Sequence, residues 1–146
     1  MSEGLLIAET GSRLHARPHS GCFVCGQENP RGLRIHFERQ DGGQMSAHWR
    51  PGAEWEGFAG IVHGGVVSTV LDEAMSKAVA ATGTEALTAE LRVRFRRHVT
   101  SDEMFLLRGW IVKRNRRLIE TEASLTAPDG TECAHAWARF LTLPQT

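Results

Sequence analysis

The strongest constraint on this chain lies in one stretch, Ile61-Val62-His63-Gly64-Gly65-Val66-Val67-Ser68-Thr69-Val70-Leu71-Asp72-Glu73-Ala74-Met75. From here to residue 81 the apolar positions Val67, Val70, Leu71, Ala74, Ala78 and Ala81 recur at steps of three and four, the period of one helical face. Val66, Met75 and Val79 carry the apolar surface around much of the remaining circumference. The spacing therefore predicts a helix over 66–81 that is covered on most sides and forms the core of its domain. Two glycines at its mouth and an aspartate two turns inside are poor helix formers, so each needs a reason to be there.

The flanks show a different period. Leu33, Ile35 and Phe37 alternate with Arg34, His36 and Glu38, and the turn Asp41-Gly42-Gly43 leads to a second alternating run, Met45, Ala47 and Trp49. Together they read as a β-hairpin. Pro51-Gly52 ends it, and a loop punctuated by Gly57 and Gly60 runs to His63. Beyond Gly83, Ala89, Leu91, Val93 and Phe95 oppose Glu90, Arg92, Arg94 and Arg96; further strands are expected over 104–113, 118–127 and 131–143. The turns between them are the basic run 113–117 and Pro128-Asp129-Gly130. The order strand, strand, helix, four strands predicts an α+β fold, an antiparallel sheet of about six strands around one long central helix. Residues 1–20, with the patch Leu5-Leu6-Ile7-Ala8, read as an N-terminal arm or short helix ahead of a single domain over 21–146.

Composition narrows the function. At 146 residues, 41% of them hydrophobic, one domain can bury a core. Lys plus Arg and Asp plus Glu both number 17, which argues against a nucleic-acid binder or a partner of anionic membranes. No run approaches the roughly 18 apolar residues of a membrane span, and Met1-Ser2-Glu3-Gly4 does not open a signal peptide. A cytoplasmic protein with reduced thiols is expected from three Cys without a secretory signal.

Unpaired N–H groups at a helix N-terminus, backed by the helix dipole, can stabilise negative charge growing on a carbonyl oxygen, and glycine lets a substrate approach closely. Gly64 and Gly65 occupy that place; the plainer account is a tight turn. Asp72 shares a helix edge with Ser68 and Ser76, where partial burial would raise its pKa toward that of a general base; the plainer account is a structural acid bonded to serine. Glu73 competes as the carboxylate but has Lys77 at i+4 to pair with. His63 fits a loop-ordering or site-shaping role better than proton transfer. Cys22-x-x-Cys25-Gly26 is half of a zinc knuckle that Cys133 and His135 could complete, but no feature of the chain brings the four together, so free thiols are expected, with no metal and no cofactor.

With its His63-Gly64-Gly65 opening, Asp72 at a fixed interval flanked by Leu71 and Ala74, and this order of elements, the chain resembles the hot-dog fold acyl-CoA thioesterases. The likeness is to the PaaI-like branch of the 4-hydroxybenzoyl-CoA thioesterase superfamily, and it runs from about Cys22 to the end. Cys22-Phe23-Val24-Cys25-Gly26 and Asn29-Pro30-Arg31-Gly32-Leu33 are similar to a leader found in one subgroup. The resemblance implies acyl-CoA hydrolysis by dimers or tetramers with active sites at the dimer seam. It implies that the amide of Gly65 or Gly64 receives the thioester carbonyl, that Asp72 is general base or nucleophile, and that Thr88 helps to hold the attacking water. Some relatives carry Asn or Gln where this chain has Gly57, beside Glu56, so a helper is missing or replaced. Arg94, Arg96, Arg97, Arg116 and Arg117 offer forked donors for CoA phosphates, or else form a solvated strand face and hairpin tip. A non-catalytic acyl-CoA-binding protein and a zinc-stabilised interaction domain are the alternatives.

Overall fold

The computed structural model describes residues 14–144. Six strands form one antiparallel sheet: β1 (Glu38–Arg39), β2 (Met45–Trp49), β5 (Ala86–Phe95), β6 (Phe105–Arg114), β7 (Leu118–Thr126) and β8 (Glu132–Thr142), in the order β1-β2-β6-β7-β8-β5. A small antiparallel pair, β3 (Glu56–Phe58) with β4 (Ile61–Val62), leads into helix α1 (Gly64–Ala80). The helix packs on β2, β5, β6, β7 and β8, so the sheet holds it along most of its length. This is the helix-in-sheet arrangement expected from the change of period at Gly83.

Packing is densest where α1 crosses β6. A Cβ on Gly109 would fall on the carbonyl of Ala74, so glycine in the strand and alanine in the helix are what allow this approach. Val67, Val70, Leu71, Ala74, Met75, Ala78 and Val79 form the buried face of α1, against Phe105, Leu107, Ile119, Leu125 and Phe140. Full burial of one such Leu or Phe contributes about 1.5–3 kcal/mol, so this contact fixes the helix axis on which the site is built. The helix is less enclosed than the sequence predicts: Ser68, Thr69, Asp72, Glu73, Ser76 and Lys77 are half-buried along one edge.

Residues 33–37 also differ from expectation. Ile35 is buried, as its alternation requires, but the backbone pairs with the leader, Leu33 N–H donating to Phe23 O at 2.8 Å and Ile35 N–H to Val24 O at 2.9 Å. Arg34, at φ 54°, breaks the extended run, and regular pairing with β2 is confined to Glu38 and Arg39. Of the N-terminal arm, residues 1–13 lie outside the described residues; 14–20 contain no helix and are tied to Glu85 through Ala16 N–H (2.8 Å) and Arg17 Nε (3.0 Å).

Strand β5 ends the sheet, bonded to β8 on one side. Its register slips between Thr88 and Glu90, a bulge at Ala89. Leu91 and Phe95 on this strand are exposed.

Candidate active site

The N-terminus of α1 leaves four amides without intrahelical acceptors, and their partners can be traced one by one. His63 N–H donates to Trp55 O at 2.9 Å, Gly65 N–H to the Nδ1 of His63 at 2.8 Å, and Val66 N–H to His63 O at 2.9 Å. That leaves Gly64 N–H, the one member of the four with no acceptor among the described residues. The choice between the two glycines is thereby narrowed. Gly65 is not the free donor, because the residue before the glycine pair caps it, and His63 orders this turn as that cap. Capping by an imidazole is unusual, and nothing in the His-Gly-Gly spelling says which glycine keeps its amide.

Gly64 opens into a cavity of about 540 Å³ lined by Phe58, Ile61, Val67, Phe95, Arg96 and His98 among others. Phe58 and Phe95 there are exposed at 79% and 50%, large apolar area at the mouth of a pocket. The sequence pattern places Phe95 in a strand and marks it with no role. A Cβ at Gly57 would press on the His63 ring at 3.1 Å, so glycine here makes room for the capping imidazole. Glu56 does not stand in for the missing polar residue: Ser101 Oγ donates to its Oε2 at 2.6 Å, and this bond, with one from the Gly60 backbone, holds its carboxyl below the usual range.

Asp72 is half-buried on the open edge of the helix, and Thr88 Oγ1 donates to its Oδ1 at 2.8 Å. Burial pushes the carboxyl pKa up, the Thr88 hydrogen bond pulls it down, and the neighbouring Glu73 charge adds a smaller upward push; the net direction is up. Thr88 stands at the bulge of β5. Glu73, predicted to pair with Lys77, instead has Cys22 Sγ 3.7 Å from its Oε2, and no ion pair joins it to Lys77 among the described residues.

Gly64 and Asp72 do not converge within one chain. Eight residues of helix separate their backbones by about 12 Å along the axis, too far for one carbonyl and its attacking water. Within one chain, then, the amide and the acid do not face the same small volume.

The arginines divide into two groups. Arg96 and Arg97 share the Gly64 cavity, but Arg97 is forked onto Asp129 (3.0 and 3.4 Å), while Arg96 lies 3.4 Å from Glu132. Arg94 is exposed on β5 opposite His135. Arg116 and Arg117 lie in the β6–β7 turn, where neighbouring Arg114 bonds Thr82 Oγ1 (3.0 Å) and Thr84 Oγ1 beyond the C-terminus of α1. The two groups are at opposite ends of a helix about 25 Å long.

The four zinc ligands considered from sequence are not brought together. Cys133 is buried with its Sγ 3.7 Å from Thr131 O. Both His135 nitrogens are taken, Nε2 by Glu122 at 2.7 Å and Nδ1 by Glu132 at 3.2 Å. Cys25 is no reactive thiolate: burial and Glu73 push its thiol up to about 12.

Residues 59–134, more than half of the chain, match the thioesterase superfamily. The chain belongs to that superfamily. Its fold is similar to RHA08564, a thioesterase superfamily protein, with TM-score 0.78 and 28% identity over 81% of this chain. This chain spans 61% of the length of RHA08564. A hypothetical thioesterase from Streptococcus pneumoniae, solved with coenzyme A, matches at TM-score 0.71 and 17% identity over 76% of this chain and 87% of its own. The Escherichia coli PaaI protein of the phenylacetic acid degradation operon matches at 0.70 and 15% over 75% and 83%. These structures share the hot-dog fold with this thioesterase-superfamily chain, as the resemblance implies. No curated protein matches significantly. No helix among the described residues is long and apolar enough to cross a membrane.

Proposed function

We propose that this superfamily member hydrolyses acyl-CoA thioesters as a homodimer, each active site pairing the Gly64 amide of one copy with Asp72 and Thr88 of the other. The supporting observation is the division of labour along α1: a free amide at its N-terminus and, about 12 Å away, a carboxylate of raised pKa held by one oxygen. A two-fold axis between them, relating antiparallel helices, sets each amide against the other copy's acid and makes two equal sites. The free edge of β5, ten residues long with exposed Leu91 and Phe95, is the surface such pairing would cover.

In this reading Thr88 holds Oδ1, and Oδ2 of Asp72 takes a proton from water as its oxygen attacks the thioester carbonyl. Negative charge develops on the carbonyl oxygen against Gly64 N–H and the positive end of the helix. Collapse breaks the C–S bond, releasing the acid and CoA, whose thiolate accepts the proton. Arg96, in the cavity of Gly64 and loosely paired, is the arginine best placed for a CoA phosphate; Arg97 is spent on Asp129, and Arg94, Arg116 and Arg117 lie outside this cavity. The coenzyme A and acetyl-CoA carried by two neighbours of similar fold support this substrate class.

Thiol release from a panel of aliphatic and aromatic acyl-CoAs tests the proposal. Turnover by the parent, falling about 10²- to 10⁴-fold in Asp72→Asn, is expected. Binding without turnover across the panel overturns it and leaves the non-catalytic acyl-CoA-binding reading.

A further inference from the structure

We propose that Cys22, Cys25 and Glu73 form a zinc site that staples the N-terminal leader to helix α1. The thiol sulfurs and a carboxylate oxygen of these residues all lie within 4.8 Å of one another. Zinc bonded to sulfur at about 2.3 Å in a tetrahedral set separates its ligand atoms by about 3.5–3.8 Å. Cys22 Sγ and Glu73 Oε2 stand 3.7 Å apart, so they already span one edge of such a set.

The leader is shaped for this. Gly26 N–H closes a turn on Cys22 O at 2.8 Å, which puts the two thiols on the same side of the knuckle. Gly26 is buried, and a Cβ there would collide with the backbone of Ser20 and Cys22, so the turn requires glycine. Val24, buried at 2%, anchors the knuckle in the core between the two cysteines. The third ligand comes from a distant part of the chain: Glu73 on α1 brings a carboxylate oxygen beside both thiols.

Charge and donor type favour zinc over harder cations. Zinc binding displaces the protons of both thiols to solvent, and two thiolates and a carboxylate suit a borderline-soft dication, whereas calcium and magnesium take oxygen ligands. The set carries one negative charge more than zinc removes, and Lys77, which lines the same cavity, offsets it. All three ligands line a cavity of about 480 Å³, where His19 is a neighbour but its Nδ1 accepts from Gly21 N–H at 3.1 Å. The fourth ligand of the proposed set is then a water from this cavity.

Cobalt(II) titration of the reduced full-length chain tests the site without reference to thioester hydrolysis. The expected result is one equivalent bound per chain, with a thiolate-to-cobalt charge-transfer band and tetrahedral visible absorption that zinc abolishes. Cys22→Ser and Cys25→Ser each lose the band. Glu73→Gln keeps both thiols and weakens binding at least about tenfold, guarding against a cysteine variant that merely unfolds. No charge-transfer band in the parent, or cobalt affinity unchanged in Glu73→Gln, overturns the proposal.

Discussion

The two stations of the proposed site on α1 are made in opposite ways. At its N-terminus the group on offer is a backbone amide, left over because His63 caps Gly65 and its carbonyl takes Val66. At Asp72 the group is a side chain whose acidity is set by half-burial and by one hydroxyl from β5. The first is fixed by which neighbours are satisfied, the second by what the sheet brings alongside. An amide keeps its donor whatever the pH, while a carboxylate works only once deprotonated, so pH dependence belongs to the second station.

The largest effect should come from removing the base. Asp72→Asn is expected to cut kcat about 10²- to 10⁴-fold, with Thr88 still able to bond the amide oxygen. The same change should stabilise the fold near neutral pH. With a folded pKa above the unfolded one, native Asp72 binds its proton more tightly, so its effect is fully favourable below the unfolded value and is lost as pH rises through the folded value. Thermal melts from acid to neutral pH should show the parent losing ground to Asp72→Asn across that window. A parent that gained instead would place the carboxyl in a different environment.

Gly64→Pro attacks the other station with little cost to the fold. Proline is well accepted at the first helical position, and His63, at ψ 133°, already has the conformation that a residue before proline prefers. Loss of one oxyanion donor should lower kcat about 10²- to 10³-fold while circular dichroism stays unchanged. Unaltered turnover would remove the amide from the mechanism.

Thr88→Val should act through pH. Losing a bond that lowers the Asp72 pKa moves the acid limb of the kcat/KM profile upward, and a limb that stays in place would show that Thr88 does not tune the acid. The smallest effect belongs to His63→Ala, expected to cost about 0.5–2 kcal/mol of stability through the lost cap, measured by urea denaturation.

Much of this was legible before any coordinates. The three- and four-residue spacing of Val67, Val70, Leu71 and Ala74 gave the helix, and the period-two runs after Gly83 gave β5 to β8, because each segment buries one face on a regular lattice. Residues 33–37 alternate just as well, yet their hydrogen bonds go to Phe23 and Val24: alternation reports which side is buried, not which neighbour is bonded. The resemblance assigns Thr88 to the attacking water; its hydrogen bond to Asp72, 16 residues apart in sequence, depends on a strand register no local pattern encodes. Choosing Gly64 over Gly65 required the rotamer of His63, and the turn of Glu73 toward Cys22 required the leader in place.

The central claim, an amide of one copy facing the acid of another, is tested most directly by mixing two inactive subunits. Gly64→Pro and Asp72→Asn chains co-expressed with different tags and purified as heterodimers carry one site with both lesions and one with neither. The account predicts thiol release from acyl-CoA at about half the parent rate per dimer, against near-background rates for either variant alone. Heterodimers as inactive as their parents would contradict it.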